Sequence, residues 1–381
     1  MTATAPAPAT LKIDILSDAA APHTRRWAQW FALRGHDVRV LSFNSVQLPD
    51  YAPAVVHELW NPRFGNALPV RALKIPTILA RMRALFRQRR PDLIHAHSAG
   101  GYAWAALLSG FRPYVVTPWG TDLLVDIERS RINRWLTTAA LARAELVTTD
   151  GQHFVDILRR MGVPAERILL HTFGTNVHHF SPGPDGGERQ RLGVGPGPVV
   201  ISTRTLNPVH DVETFIRALP AIHDRFPGAT FLVVGGGAEQ DRLEQLADSL
   251  HLREAIRFTG MVDEHRMQKL LRTADVYVST SLMDAGLAGS TAEAMATGLP
   301  VVQTDNSDNA RWTPSGAGGL LFPNRDPGAL ASCVCQLLAA PDLARTMGQR
   351  NRTTVVHEYN MDLEMGRIDD IYRTIAGPAG R

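Results

Sequence analysis

Short apolar runs alternate with longer amphipathic stretches almost from the start of the chain. LKIDILS (11–17) is apolar and ends at a polar turn, HTRRWAQWFALRGH places apolar residues on one helical face and closes at Gly35, and DVRVLSF (37–43) is the next strand. This is a β-α-β opening. The alternation continues through a basic helix near 76–90, a strand PDLIHAH (91–97), a small-residue helix at 101–109, and strands PYVVTPWG (113–120), AELVTTD (144–150) and RILLHT (167–172). Strands that alternate with helices predict a parallel sheet covered on both faces.

The rhythm breaks at 173–198, FGTNVHHFSPGPDGGERQRLGVGPGP, which is dense in Gly and Pro and reads as an inter-domain linker. It restarts with strands VVISTRT (199–205), ATFLVVGGG (229–237), IRFTGMV (256–262), DVYVSTS (275–281) and LPVVQTD (299–305), separated by helices, with a further helix at 327–339. The stretch from about 342 to 376 reads as helical. The expected organisation is therefore α/β, with two Rossmann-like domains. It comprises a disordered leader (1–10), a first domain (11–178), a linker (179–198), a second domain (199–365), and a C-terminal helix (366–381) returning to the first. A chain of 381 residues exceeds the size at which one hydrophobic core stops growing, which agrees.

Composition removes several function classes. The chain is 44% hydrophobic and 20% charged, too apolar for disorder, and it lacks an apolar run of the ~18 residues a spanning helix needs. MTATAPAPAT has neither the basic start nor the apolar core of a secretory signal, so the expected location is cytoplasmic. Cys333 and Cys335, two apart in a helical pattern, point to different faces and suit neither a disulfide nor a metal pair. Net charge is only +3, yet five arginines crowd into RMRALFRQRR (Arg81 to Arg90). That cluster fits a solvated helix face or a peripheral contact with phospholipid headgroups. No nucleic-acid motif accompanies it.

In open parallel sheets ligands sit beyond the carboxyl ends of the strands. In the second half those positions hold Arg204, Gly235 to Gly237, Gly260 with Met261, Asp284, and the helix starting near Ser290. The start of that helix, STAEAMATG, offers unpaired N–H groups and a positive dipole end to a diphosphate. Glu293 could accept hydrogen bonds from two ribose hydroxyls; equally, Ser290-Thr-Ala-Glu293 is a capping box in which the Glu satisfies a backbone donor. Arg204 could neutralise a leaving diphosphate or form an interface ion pair. The GGG at 235–237 lacks the full G-x-G-x-x-G spacing, which argues against a nicotinamide cofactor and an oxidoreductase.

The stretches STSLMDAGLAGSTAEAMATGLPVV (279–302), FLVVGGGAEQDRLEQLA, RFTGMVDEHRMQKLLRTADVYVS and GLLFPNRDPGALA resemble the donor domain of glycosyltransferase family 4, which has the GT-B fold. RGHDVRVLSF, PDLIHAHS and GTNVHHFSP are similar to that family too, so the likeness covers nearly the whole chain. It implies two domains facing across a cleft and a retaining, metal-independent transferase without a resident cofactor. Its substrates would be a nucleoside-diphosphate sugar, with UDP expected, and a hydroxyl acceptor such as a small natural product, an aminocyclitol or a glycan. By position, the resemblance gives Glu293 to the ribose, Gly286, Leu287, Gly289 and Ser290 to the diphosphate and sugar side, Arg204 to the diphosphate, and Met261 with Val262 to the base. His97 would face the donor sugar or the acceptor, with His23, Thr117, Trp119 and Asp122 on the acceptor side.

The chain departs from that pattern in places. The usual Glu eight positions before Glu293 is Ala285, with Asp284 one residue upstream as the expected substitute. The usual Lys after the diphosphate Arg is missing, and His210 stands near it; a protonated His210 would give an affinity that falls as pH rises through ~6.5. Trp119 takes a position where many members carry His, and the first loop lacks the glycine pair. Same-face substitution, with charge held by Arg204 and the helix at Ser290, is the expected chemistry. The competing readings are an inactive nucleotide-sugar-binding scaffold of the same fold and a sugar-nucleotide epimerase.

Overall fold

The computed structural model describes residues 10–43, 51–59, 68–124, 126–284 and 286–377. Ala285, residues 1–9 of the expected leader and residues 378–381 of the expected C-terminal helix lie outside them. The chain divides into two compact units, 1–171 with 365–381, and 172–364.

The first unit holds a seven-stranded parallel sheet of β1 (Lys12–Leu16), β2 (Asp37–Ser42), β3 (Val55–Glu58), β4 (Leu93–His97), β5 (Tyr114–Thr117), β6 (Leu146–Thr149) and β7 (Ile168–Leu170). Its order is β3-β2-β1-β4-β5-β6-β7. The second unit holds a six-stranded parallel sheet of β8 (Val199–Ser202), β9 (Thr230–Val234), β10 (Ile256–Gly260), β11 (Val276–Ser279), β12 (Val301–Thr304) and β13 (Gly319–Phe322), in the order β10-β9-β8-β11-β12-β13. Each sheet reverses its order of addition once, between β1 and β4 and between β8 and β11. Such switch points open a crevice at the carboxyl ends of the strands.

Both faces of the second sheet are covered. Val200, Phe231 and Val233 pack into one apolar cluster, while Val199, Ile201, Leu232 and Val234 pack into the other. A parallel strand buried on both sides must read as a continuous apolar run, and VVIS and TFLVV do.

The Gly/Pro-rich stretch expected at 179–198 lies wholly inside the second unit. Val177 and Phe180 enter its core. Arginines elsewhere in that unit tie the carbonyls down: Arg352 donates to Val177, Phe180 and Ala296, each at 2.8 Å, and Arg272 donates to Ser181 O at 2.7 Å. Arg189 in turn reaches Thr273, Gly195 and Gly197. Gly and Pro here shape an ordered loop, and the chain passes between units at 171/172 and 364/365 instead.

The helical C-terminal stretch is two helices, Pro341–Glu358 and Met361–Ala376, separated at Tyr359 and Asn360. Residues of the second helix from 365 onward belong to the first unit, where Ile368 and Tyr372 are fully buried and Tyr372 stacks on Phe31 at 5.1 Å. The basic helix runs from Leu68 to Arg89, through Pro76. Two of its arginines are engaged internally. Arg83 donates to the carbonyls of Leu108 and Ser109, and Arg89 pairs with Asp37 at 2.7 Å and approaches buried Asp14 at 3.4 Å. Among the described residues no single helix is long and apolar enough to cross a membrane.

Candidate active site

At the β8/β11 switch point four chain segments place polar side chains together. Arg204 leaves the end of β8 with its side chain 10% exposed. It donates from Nη1 to Ser290 Oγ (3.0 Å) and from Nη2 to Asp284 Oδ1 (2.6 Å) and His210 Nδ1 (3.0 Å). Glycines make room for the loop behind it. A Cβ on Gly235 would stand 2.6 Å from the Arg204 carbonyl oxygen, and one on Gly237 2.3 Å from that of Leu206. The GGG run therefore lets two strand-end loops touch backbone to backbone.

Ser290 belongs to the helix Gly289–Thr297, whose N-cap is Ala288 without a side-chain capping bond. Ser290 is thus a helical residue and not the cap, and Glu293 lies beyond the first turn, so the capping box does not form as expected. Tyr277 OH, from β11, also donates to Ser290 Oγ at 3.0 Å. A hydroxyl oxygen accepts two hydrogen bonds and donates one. With Arg204 and Tyr277 filling the acceptor sites, the Ser290 proton has no acceptor among the described residues, at a helix end that favours anions.

Asp284 is 7% exposed; one carboxylate oxygen holds Arg204, while Oδ2 is buried without a hydrogen-bond partner among the described residues. Leu287 turns its side chain into the core, and its carbonyl accepts from Tyr359 OH at 2.9 Å. Gly286 is buried, and Gly289 is exposed with open space around it. Met261 is 71% exposed and lies over Gly236, and Val262 packs against the core.

His210 differs from its expected role. A guanidinium only donates, so Nδ1, which receives Arg204 and lies 3.0 Å from Ser281 Oγ, is unprotonated and the ring carries its proton on Nε2. Burial, and then the neighbouring charge of Arg204, lower its pKa to about 4. His210 is neutral at physiological pH and cannot replace a lysine. It orients the guanidinium by accepting from it.

The first unit's switch point is built from rings. His95 and His97, two apart on β4 and so on one face, are 0% and 2% exposed, with His97 Nε2 at 3.2 Å from His95 Nδ1. Trp27 packs edge-on to both, at 5.1 and 5.0 Å between centroids. His23 lies on Trp119 at 3.9 Å, and His97 is 5.8 Å from the same indole. Burial lowers the pKa of His23 to about 4 and of His95 to about 3, and takes His97 well down. His97 Nδ1 is buried without a partner among the described residues.

Two of the residues expected on the acceptor side have structural duties. Thr117 is fully buried, its hydroxyl 2.6 Å from His95 Nε2 and 2.5 Å from Thr148 Oγ1. Asp122 spends its carboxylate on the backbone N–H groups of Ala99, Trp119, Gly120 and Leu123. A side chain with no exposed surface cannot meet an acceptor, and Asp122 acts by shaping the loop that carries Trp119. The sequence reading missed Tyr277, which looks like an ordinary strand residue. It also missed His95, although the H-A-H spacing places both rings on one face.

The family described as glycosyl transferases group 1 matches residues 197–340, and the glycosyl transferase 4-like domain matches 19–174. A GDP-mannose-dependent alpha-(1-6)-phosphatidylinositol monomannoside mannosyltransferase of Mycolicibacterium smegmatis is 30% identical over 310 residues, 78% of this chain and 80% of the relative. The chain is a glycosyltransferase of the family 4 type. A phosphatidyl-myo-inositol mannosyltransferase of Mycobacterium leprae is 27% identical over 93% of this glycosyltransferase and 92% of its own length. The fold is shared with sucrose-phosphate synthase of Thermosynechococcus elongatus (TM-score 0.79, 22% identity, 95% and 98% of the two chains). It is shared equally with Anabaena HepE in complex with UDP-glucose (TM-score 0.79, 20% identity, 96% and 100%). The glycosyltransferase thus has two parallel-sheet domains of the GT-B type, as the resemblance implied.

Proposed function

We propose that this glycosyltransferase moves a hexosyl or N-acetylhexosaminyl group from a nucleoside-diphosphate sugar to a hydroxyl acceptor, with retention of anomeric configuration and without a metal. The observation that carries the reading is the Arg204 guanidinium bonded to Ser290 at the N-terminus of a helix whose N-cap residue, Ala288, makes no side-chain capping bond. A diphosphate placed there meets a fixed cation, backbone N–H groups and the Ser290 hydroxyl proton. The C1–phosphate bond breaks as the C1–acceptor oxygen bond forms on the same face, and the departing phosphate oxygen takes the acceptor's proton. Arg204 and the helix end hold the charge that develops, and such donors contribute about 10²–10³ in rate. Asp284 Oδ2 is an acceptor for a sugar hydroxyl, and Glu293 for the ribose.

The two relatives' donors, GDP-mannose in one name and UDP-glucose in one complex, share the diphosphate that this site addresses. UDP remains the expected nucleotide, and GDP is the alternative suggested by the mannosyltransferase relative whose name includes GDP-mannose. The acceptor is a small cyclitol or natural product, a glycan, or a lipid-linked polyol, and the place of action is the cytoplasm or the surface of a membrane. The test is a donor panel of UDP- and GDP-hexoses, with chelator present, scored for transfer and hydrolysis and for the product's anomeric coupling by NMR. Turnover of one donor with retained configuration supports the reading. Nucleotide binding without turnover of any donor would favour the inactive scaffold, and turnover without acceptor to an isomeric sugar nucleotide would favour the epimerase.

A further inference from the structure

A hydroxyl sits in the second unit's core where packing alone does not ask for one. The ring of Tyr277, on β11, is fully buried in the apolar cluster that also holds Leu287, Ala292 and Met295. Burying a hydroxyl costs free energy unless it is bonded, and a phenylalanine would fill nearly the same space without that cost. Among the described residues Tyr277 OH makes one hydrogen bond, to Ser290 Oγ at 3.0 Å, so the effect of the hydroxyl falls on the helix start.

The direction of that bond follows from counting protons. The Arg204 guanidinium can only donate, and it gives an N–H to Ser290 Oγ at 3.0 Å. If Ser290 donated to the phenol, the Tyr277 proton would be buried without an acceptor; when Tyr277 donates, both groups are satisfied. Ser290 then receives two bonds and keeps one proton to give. Because Tyr277 is buried and Ser290 is only half-buried, that proton lies on the group a ligand can reach.

The charge balance of the cluster makes such a proton matter. Arg204 is paired with Asp284 at 2.6 Å and His210 is neutral, so these three side chains together carry no net charge toward a diphosphate. Recognition therefore leans on directed donors. The cluster also holds two buried polar atoms without a hydrogen-bond partner among the described residues, Asp284 Oδ2 and Arg204 Nε, on side chains 6% and 10% exposed.

We infer that Tyr277 is a positioning residue for the donor's diphosphate: by filling the second acceptor site of Ser290 it turns the serine proton outward, onto a phosphate oxygen. The inference rests on the donor reading and adds to it a residue that itself touches no substrate.

The test is calorimetric titration of UDP and GDP into the wild type, Tyr277→Phe, Ser290→Ala and the double variant, with the unfolding midpoint of each measured alongside. Tyr277→Phe keeps the ring and with it the packing. For the nucleotide that binds the wild type, Ser290→Ala should weaken affinity about tenfold and Tyr277→Phe about threefold, while the double variant should bind no more weakly than Ser290→Ala alone. A tyrosine with only a packing role would move the unfolding midpoint and leave affinity unchanged; that result, or losses that add in the double variant, overturns the inference while the donor reading stands. A wild type that binds neither nucleotide overturns both.

Discussion

The two switch points share a topology and differ in chemistry. Beyond β8 and β11 a guanidinium, a carboxylate and a serine hydroxyl are bonded together at a helix end, with one neutral imidazole accepting from the cation. Beyond β1 and β4 there are imidazoles and indoles, all three histidines held below their ordinary pKa by burial. A guanidinium paired with one carboxylate oxygen, beside a serine proton and a helix start, suits an anion, whereas the rings of His23 and Trp119, stacked at the edge of the buried histidines, are neutral and apolar. One topology therefore carries two unlike sets of side chains, and the residues after the strands, not the strands, make the difference.

That contrast can be broken experimentally. Removing the buried indole of the first site, Trp27→Ala, should cost about 3–5 kcal/mol of stability while leaving nucleotide affinity in the surviving folded protein unchanged; denaturant unfolding and a thermal-shift titration measure the two. Arg204→Met should lower transfer by about 10²–10³. It also strands buried Asp284, so Arg204→Met/Asp284→Asn should regain stability without regaining activity.

Acidification sharpens the comparison. The folded pKa values of His23, His95 and His210 are about 4, about 3 and about 4, all below the ordinary 6.5. Below pH ~6.5 the unfolded chain binds more protons than the folded one, so stability is full above that value and is lost as pH falls toward ~4, at up to about 1.4 kcal/mol per pH unit per group. His97 adds to the loss in the same direction. The first unit, with five lowered histidines (His23, His36, His57, His95 and His97) against His210 alone in the second, should lose stability more steeply in calorimetry across pH, offset in part by buried Asp14 and Asp122, whose pKa values burial raises. Affinity for a nucleotide sugar should be level from pH ~6 to 8, because His210 stays neutral throughout. The smallest effect belongs to Tyr372→Phe, which removes a hydroxyl 2.5 Å from His95 Nδ1 and should cost about 1–2 kcal/mol, seen as a shift in the unfolding midpoint.

Most of the architecture was legible because parallel strands buried on both faces are uniformly apolar. The strands β3 and β13 are not legible in the pattern: both form sheet edges, VVHE ends in two polar residues and GLLF starts at a glycine. The Gly/Pro-rich stretch reads as a linker but belongs to the second unit, because composition marks turns and does not show that Arg189, Arg272 and Arg352 bind its carbonyls. At the site, position after a strand was enough to single out Arg204, Asp284 and Ser290, which the structure brings together. The charge of His210 was not legible, since it follows from burial and from the one-way donation of a guanidinium. The cap at Ala288 was not legible either, because it depends on the backbone conformation before Gly289.

The account rests most on Arg204 and the helix start at Ala288 and Gly289 forming the diphosphate seat. Calorimetric titration of UDP and GDP into the wild type, Arg204→Met/Asp284→Asn and Trp27→Leu tests it directly. The account predicts that one nucleotide binds the wild type and Trp27→Leu alike, and binds the Arg204 variant at least about tenfold more weakly, as the loss of a charge-assisted bond requires. Unchanged affinity in the Arg204 variant, with loss in Trp27→Leu, would contradict it and move the nucleotide to the first unit.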